Sequence, residues 1–202
     1  MSKLNFDKEY LEIMQESTVN LEEYQYWLGL KERTIYFNQE VDMGIINRVV
    51  YWIIRWNEED KDKPVEELQP IKLYVSSNGG CVVSGLALID AIQTSRIPVE
   101  TIGVGVCASM GALLLLSGTK GYRKCYENTT ILLHDGNLSL SHSGKKARQV
   151  MDYYDGLEDR LKDITVDKTV ITSELYDKKN DEEWYLFGSE ALELGIVDEI
   201  IK

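Results

Sequence analysis

The stretch VGVCASMGALLLLSG, from Val104 to Gly118, decides the fold. Its first half ends a run that begins at Val99 (VETIGVGV), small and β-branched throughout, and reads as a buried strand. Its second half, GALLLL, has no polar face and reads as a buried helix. A strand apolar on both faces, followed at once by a helix, is the pattern of a covered and largely parallel sheet. At the joint stands one serine, Ser109, between Ala108 and Met110.

Working outward, the same alternation recurs on both sides. RTIYF (Arg33 to Phe37) is a short strand, after which Ile46, Val49, Val50 and Ile53 fall at helical spacing. IKLYV (Ile71 to Val75) is a second strand, followed by SSNGG and a helix carrying Val82, Leu86, Ile89 and Ile92. TTILL (Thr129 to Leu133) is a further strand. Between the first two units, NEEDKDKPVEELQP (Asn57 to Pro70) is charged, carries two of the three prolines and reads as a surface loop. The predicted fold is therefore α/β, and one domain over residues 1–202 suffices for a chain of this length. After Gly144 the period changes: Val150, Tyr154, Leu157, Leu161 and Ile164 alternate steps of four and three on a charged background. That predicts one long amphipathic helix with a narrow apolar seam, suited either to its own core or to another subunit.

Bulk composition excludes several classes. No apolar run reaches the length of a membrane helix, and the acidic start MSKLNFDKEYLEIMQES is unlike a secretory signal, so the expected compartment is the cytoplasm. A net charge of −12 argues against nucleic acid or anionic membrane as partner, since both require clustered lysine and arginine. Cys81, Cys107 and Cys125 are odd in number and widely spaced, which indicates neither a disulfide framework nor a metal site. Partners are expected to be proteins.

Three strand ends carry residues with chemical potential. Ser109 has two readings: an N-cap for the leucine helix, or a nucleophile presented on a sharp turn held to small residues, beside the free amides of a helix start. Of two histidines, His134 follows TTILL directly, where open α/β sheets build their sites. His142 lies in the polar stretch SLSHSG and reads as a solvated loop residue. Gly79 and Gly80 in SSNGG are either an ordinary turn or a place where another chain approaches the backbone closely. A serine, a histidine and a glycine pair at three successive strand ends are more economically explained by one acyl-transfer site than by three separate accidents.

These residues resemble the Clp protease proteolytic subunits, serine peptidases of the ATP-dependent Clp system. The resemblance runs from about LKERTIYF to LGIVDEII and is carried by SSNGG, ASMGALLL, ILLHDG and SEALELGIVDEI. It implies a crotonase-like α/β fold, Ser109 as nucleophile, His134 as general base, and the amides of Gly80 and Met110 as oxyanion hole, with substrate lying along Gly79 and Gly80. Counting back from SEALELG without a gap, the family's aspartate falls on Glu183, with Asp181 as the alternative. The resemblance further implies two stacked heptameric rings, the segment 144–165 as the handle that joins them, and unfolded polypeptide as substrate. It assigns ATP to a separate AAA+ unfoldase and no cofactor to this chain. Three departures stand out: Asn78 replaces the loop proline, HDGN replaces His-Gln-Pro, and residues 1–25 diverge. They leave room for a second role, a catalytically weakened structural ring subunit. A crotonase-type acyl-CoA enzyme is a third, since paired amides also suit a thioester enolate.

Overall fold

The computed structural model describes residues 21–136, 143–179 and 181–202; His142 and most of the divergent N-terminal segment lie outside them. A helix, α1 (Leu21–Lys31), leads into strand β1 (Thr34–Phe37). The apolar positions at 46, 49, 50 and 53 do form a helical segment, but it opens with a π-helical turn (Ile46–Val50) before becoming α2 (Tyr51–Glu59). Residues 57–59, expected in a loop, complete α2, and only the remainder up to Pro70 is irregular apart from one 3₁₀ turn (Val65–Glu67). Asn57 makes the extension worthwhile, because its side chain ties α2 to the next crossover through Ser95 Oγ at 2.8 Å and the Arg96 amide at 2.8 Å.

Strand β2 (Ile71–Ser77), helix α3 (Val82–Thr94), strand β3 (Val99–Ala108) and helix α4 (Met110–Leu116) then follow as read from the sequence. All seven residues of α4 are buried, which explains a helix without a polar face. Beyond it come β4 (Arg123–Tyr126), β5 (Thr130–Leu133), the long helix α5 (Gly144–Lys168), α6 (Ser173–Lys179), β6 (Trp184–Leu186), α7 (Gly188–Glu193) and β7 (Glu199–Ile201).

Main-sheet order is β1-β2-β3-β4-β7, all parallel. β3 forks. Its first half pairs with β4 through Thr101, Ile102 and Gly103, and its last three residues pair with β5 through Val106, Cys107 and Ala108. At the fork, Gly105 adopts φ 68°, a conformation that suits glycine. Among the described residues the one antiparallel pair is β5 with β6, so the sheet is mixed at this branch. The core lies between the sheet and helices α2 to α4, with Trp56, Phe37, Ile45, Leu88, Met110 and Leu114 among its largest fully buried side chains. At about 1.5–3 kcal/mol for each large apolar side chain removed from water, this core is the main source of stability.

Buried charge is paired. Arg123 donates to Asp198 from both Nε (2.9 Å) and Nη2 (2.5 Å), and to the Lys168 carbonyl at 2.6 Å, so one guanidinium joins β4, the start of β7 and the end of α5. Burial alone would raise the Asp198 carboxyl, but hydrogen bonds from the Arg123 side chain and backbone, its charge, and the Gly121 amide outweigh this and hold it below the usual range.

Helix α5 is the long amphipathic helix expected, three residues longer at its end than the segment 144–165. Along its seam Leu157 is enclosed, Val150, Leu161 and Ile164 are half-buried, and Tyr154 is exposed, as are Met151 and Tyr153 in the same half of the helix.

Candidate active site

Ser109 occupies the position before α4 with φ 53° and ψ −125°, and its side chain makes no capping hydrogen bond. The capping reading is therefore not what the structure contains. A non-glycine residue held at positive φ costs about 1–3 kcal/mol and persists only where its surroundings enforce it. Here they do: the Ser109 amide donates to the Leu132 carbonyl on β5 at 2.9 Å, while its carbonyl accepts from Ala112 and Leu113 at 2.9 and 3.2 Å. The residue lines a cleft with its hydroxyl uncapped.

His134 follows from the same strand pairing. Because Ala108 is level with Leu132, the chain leaves β3 and β5 at neighbouring points, and residues 109 and 134 open on the same side. The antiparallel register of β5 with β6 places Leu133 opposite Trp184, so the next pair outward is His134 with Glu183. Glu183 Oε1 lies 2.9 Å from His134 Nδ1. Asp181 would fall two residues farther along and makes no such contact. With Nδ1–H donating to the carboxylate, Nε2 keeps its lone pair. The ring is mostly buried, 21% exposed, and the carboxylate is 58% exposed.

The glycine pair forms the opposite lip. Gly79 and Gly80 adopt φ 98° and 138°. A side chain on Gly79 would meet Ser109 Cβ at 2.7 Å and the Ala108 carbonyl at 2.8 Å. One on Gly80 would run into the Val41 carbonyl. Val41 donates to Gly79 O at 2.8 Å and accepts from the Cys81 amide at 2.7 Å, a parallel bridge that brackets Gly80. In such a bridge the bracketed residue turns its own N–H to the other side, here toward the cleft. Met110, first residue of α4, likewise has an amide with no intrahelical partner.

Ser109, His134, Gly79 and Gly80 all line one cleft of about 810 Å³. Its outer wall is α5, through Tyr154, Leu157, Glu158 and Leu161. No hydrogen bond joins the Ser109 hydroxyl to His134 among the described residues; contacts of this kind commonly tighten only with substrate in place. The sequence reading missed Gln39 and Glu40, in the loop after β1, and Glu158 beside the seam. Glu158 shares a helix face with Tyr154 four residues earlier, but packing, not spacing, turns that face to the cleft.

A hydroxyl, an imidazole bonded to a carboxylate, and main-chain donors around one cleft make up the machinery of a serine-type acyl-transfer enzyme. Comparison with known proteins gives the family. The model for the family described as Clp protease matches residues 19–202. An ATP-dependent Clp protease proteolytic subunit from Dehalococcoides mccartyi is 35% identical over 181 residues, covering 88% of this chain and 86% of that protein. Subunit 3 from a Synechococcus species is 35% identical over 175 residues, with 84% and 82% covered. Subunit 2 from Prochlorococcus marinus is 33% identical over 189 residues, with 89% of each covered. The chain belongs to the Clp protease family, and its activity is that of a serine peptidase, hydrolysis of peptide bonds. Its mixed α/β architecture is the Clp, crotonase-like one. Among the described residues no helix is long and apolar enough to cross a membrane.

Proposed function

We propose that this chain is a self-compartmentalising endopeptidase that cuts unfolded polypeptide into short peptides through an acyl-enzyme on Ser109. The observation that carries this reading is the His134–Glu183 contact at the mouth of the cleft that Ser109 enters with an uncapped hydroxyl. In the first step the hydroxyl adds to the scissile carbonyl while His134 Nε2 accepts its proton. The oxyanion that forms is received by the amides of Gly80 and Met110, main-chain donors that need little reorganisation to serve it. Collapse breaks the C–N bond, and the imidazolium returns its proton to the departing amine. Water then adds to the ester carbonyl while the same nitrogen takes its proton; the C–O bond to Ser109 breaks, and the imidazolium returns the proton to the serine oxygen. Glu183 stays ionised throughout, fixing the tautomer and stabilising the imidazolium. The whole chain acts as one peptidase domain, with no cofactor of its own.

The relatives are named as subunits of an ATP-dependent protease, which supports a separate AAA+ unfoldase as the partner that consumes ATP. Two stacked heptameric rings in the cytoplasm, joined through the exposed half of α5, complete the reading. Exposed Met151, Tyr153 and Tyr154 support an intersubunit role for that half. Enclosure makes an otherwise indiscriminate protease tolerable inside a cell. A fluorophosphonate probe should label the native protein and spare Ser109→Ala, and sedimentation should find a tetradecamer; no labelling of the assembled protein refutes the catalytic assignment.

The missing Ser109–His134 hydrogen bond favours one rival, a ring subunit with weakened catalysis that works beside an active paralogue. Peptide turnover by the purified chain alone, lost in His134→Ala, rejects that rival. Membership of the Clp family sets aside the acyl-CoA alternative.

A further inference from the structure

The cleft has an unbalanced charge. Among the described residues its lining holds no lysine or arginine, and its ionisable groups besides His134 and Tyr154 are two carboxylates, Glu40 and Glu158. Glu40 sits over Gly80 on the inner lip. Glu158 is on the outer wall, where residues 154, 157, 158 and 161 form a single stripe of α5 that closes the cleft. Tyr154, Leu157 and Leu161 give this stripe apolar walls, and Glu158 is its one charged group.

We propose that this stripe is a subsite for a lysine or arginine side chain of the bound polypeptide, with Glu158 holding the cationic head. The inference deepens the peptidase reading and rests on Ser109 and His134 being the reaction centre of the same cleft. Long basic side chains lay their aliphatic stems along apolar surface and present only the head to a partner, which is the combination this wall offers. Among the described residues Glu158 has no cation and no hydrogen-bond donor of its own, so its charge is uncompensated until something brings one. Its neighbours sharpen the effect: burial first, and then the charges of Asp135, Asp155, Asp159 and Asp181, raise the Glu158 carboxyl above its ordinary value. A lysine head entering there relieves that repulsion, and an acidic side chain adds to it. The same field attracts basic segments from solution and turns acidic ones away.

The experiment uses the full-length assembled protein and peptides identical except at one position, occupied by Lys, Arg, Leu or Glu. Wild type is expected to cleave the Lys and Arg peptides with kcat/KM roughly tenfold above the Glu peptide. Glu158→Gln should lower the Lys-to-Leu ratio roughly fivefold, the scale of a partly exposed charge pair. Glu158→Lys should invert the preference toward Glu. Equal losses on all peptides in Glu158→Gln, or no basic preference in wild type, overturn the proposal. Fluorescence anisotropy of the same peptides on Ser109→Ala reads the preference without turnover. A wild type that cuts nothing therefore refutes the peptidase reading, while Lys-over-Glu binding lost on adding Glu158→Gln still supports the subsite. Equal binding of Lys and Glu peptides overturns it.

Discussion

Replacing Gly80 by alanine tests whether the lip opposite Ser109 is a catalytic device or a simple turn. At φ 138° the new methyl sits in a conformation L residues avoid, which costs about 1–3 kcal/mol. It also points at the Val41 carbonyl and comes within 3.0 Å of the Val41 amide and 2.9 Å of Glu40 Cγ. Relief requires the bridge to part, loosening the bonds of 2.8 and 2.7 Å that bracket Gly80, each contributing about 1 kcal/mol. The total, about 3–5 kcal/mol, corresponds in a chain of this size to a fall in Tm of roughly 6–20 °C. Catalysis should suffer more than stability, because tilting the Gly80 amide off the oxyanion removes a donor whose loss typically lowers kcat about 10²–10³-fold. Circular dichroism gives the melting shift, and peptide hydrolysis gives kcat on protein shown to be folded. A folded Gly80→Ala protein with kcat within about threefold of wild type would refute the assignment of this amide.

Glu183→Gln should keep the contact to His134 but present the wrong hydrogen-bond partner for a cationic ring, lowering kcat by about 10²–10⁴ with little change in KM; Asp181→Asn should stay near wild type, and the reverse pattern would move the acid to Asp181. Asp198→Asn leaves the buried Arg123 charge half-paired and should destabilise by about 3–5 kcal/mol, read as a fall in Tm. Because the folded-state pKa of Asp198 is depressed, its contribution is fully present above the unfolded carboxylate value near 3.9 and is lost as pH falls through the lower folded value; acid unfolding of Asp198→Asn should lack that component. Burial pushes the Cys107 thiol up to about 12 and the Cys125 thiol up to about 11, whereas Cys81 is exposed and lowered, first by its hydrogen bonding to Ser84. A thiol reagent at neutral pH should modify Cys81 in the native protein and the other two only after unfolding; rapid modification of all three would contradict the packing of β3 against β4.

How much of this was legible in the sequence depended on length and on register. β2, β3, β5 and α3 to α5 are continuous apolar or periodic segments, and they appear where the pattern puts them. RKCY, WYL and EII, which form β4, β6 and β7, were not read as strands, because three or four residues carry no period and their pairing depends on partners far along the chain. The helical end of α2 looked like loop because Asn57, Glu58 and Glu59 are polar; what keeps them helical is the tie from Asn57 to Ser95 and Arg96. Ser109 and His134 were visible as strand-end residues. Glu183 was reachable only by counting along a family resemblance, since the contact is set by the antiparallel register of β5 and β6 over a separation of 49 residues. Glu158 was passed over as one acid on a charged helix, because which face of α5 closes the cleft is decided by tertiary packing.

The fork in β3 carries a mechanical consequence. Three rungs, at Val106, Cys107 and Ala108, pair β5 with the central strand, the Ser109 amide adds a bond to the Leu132 carbonyl and Thr129 Oγ1 one to the Gly103 carbonyl, and β5 in turn carries β6. The imidazole and its acid therefore sit together on one small branch of the sheet, and the same branch holds the backbone of Ser109 through Leu132. Sliding that branch by one rung would part nucleophile from base and break the Ser109–Leu132 bond while leaving β4 and β7 paired, so loss of catalysis need not involve loss of fold. Amide hydrogen exchange at Ile131 and Leu132, compared with that at Ile102, would show whether the smaller branch opens first.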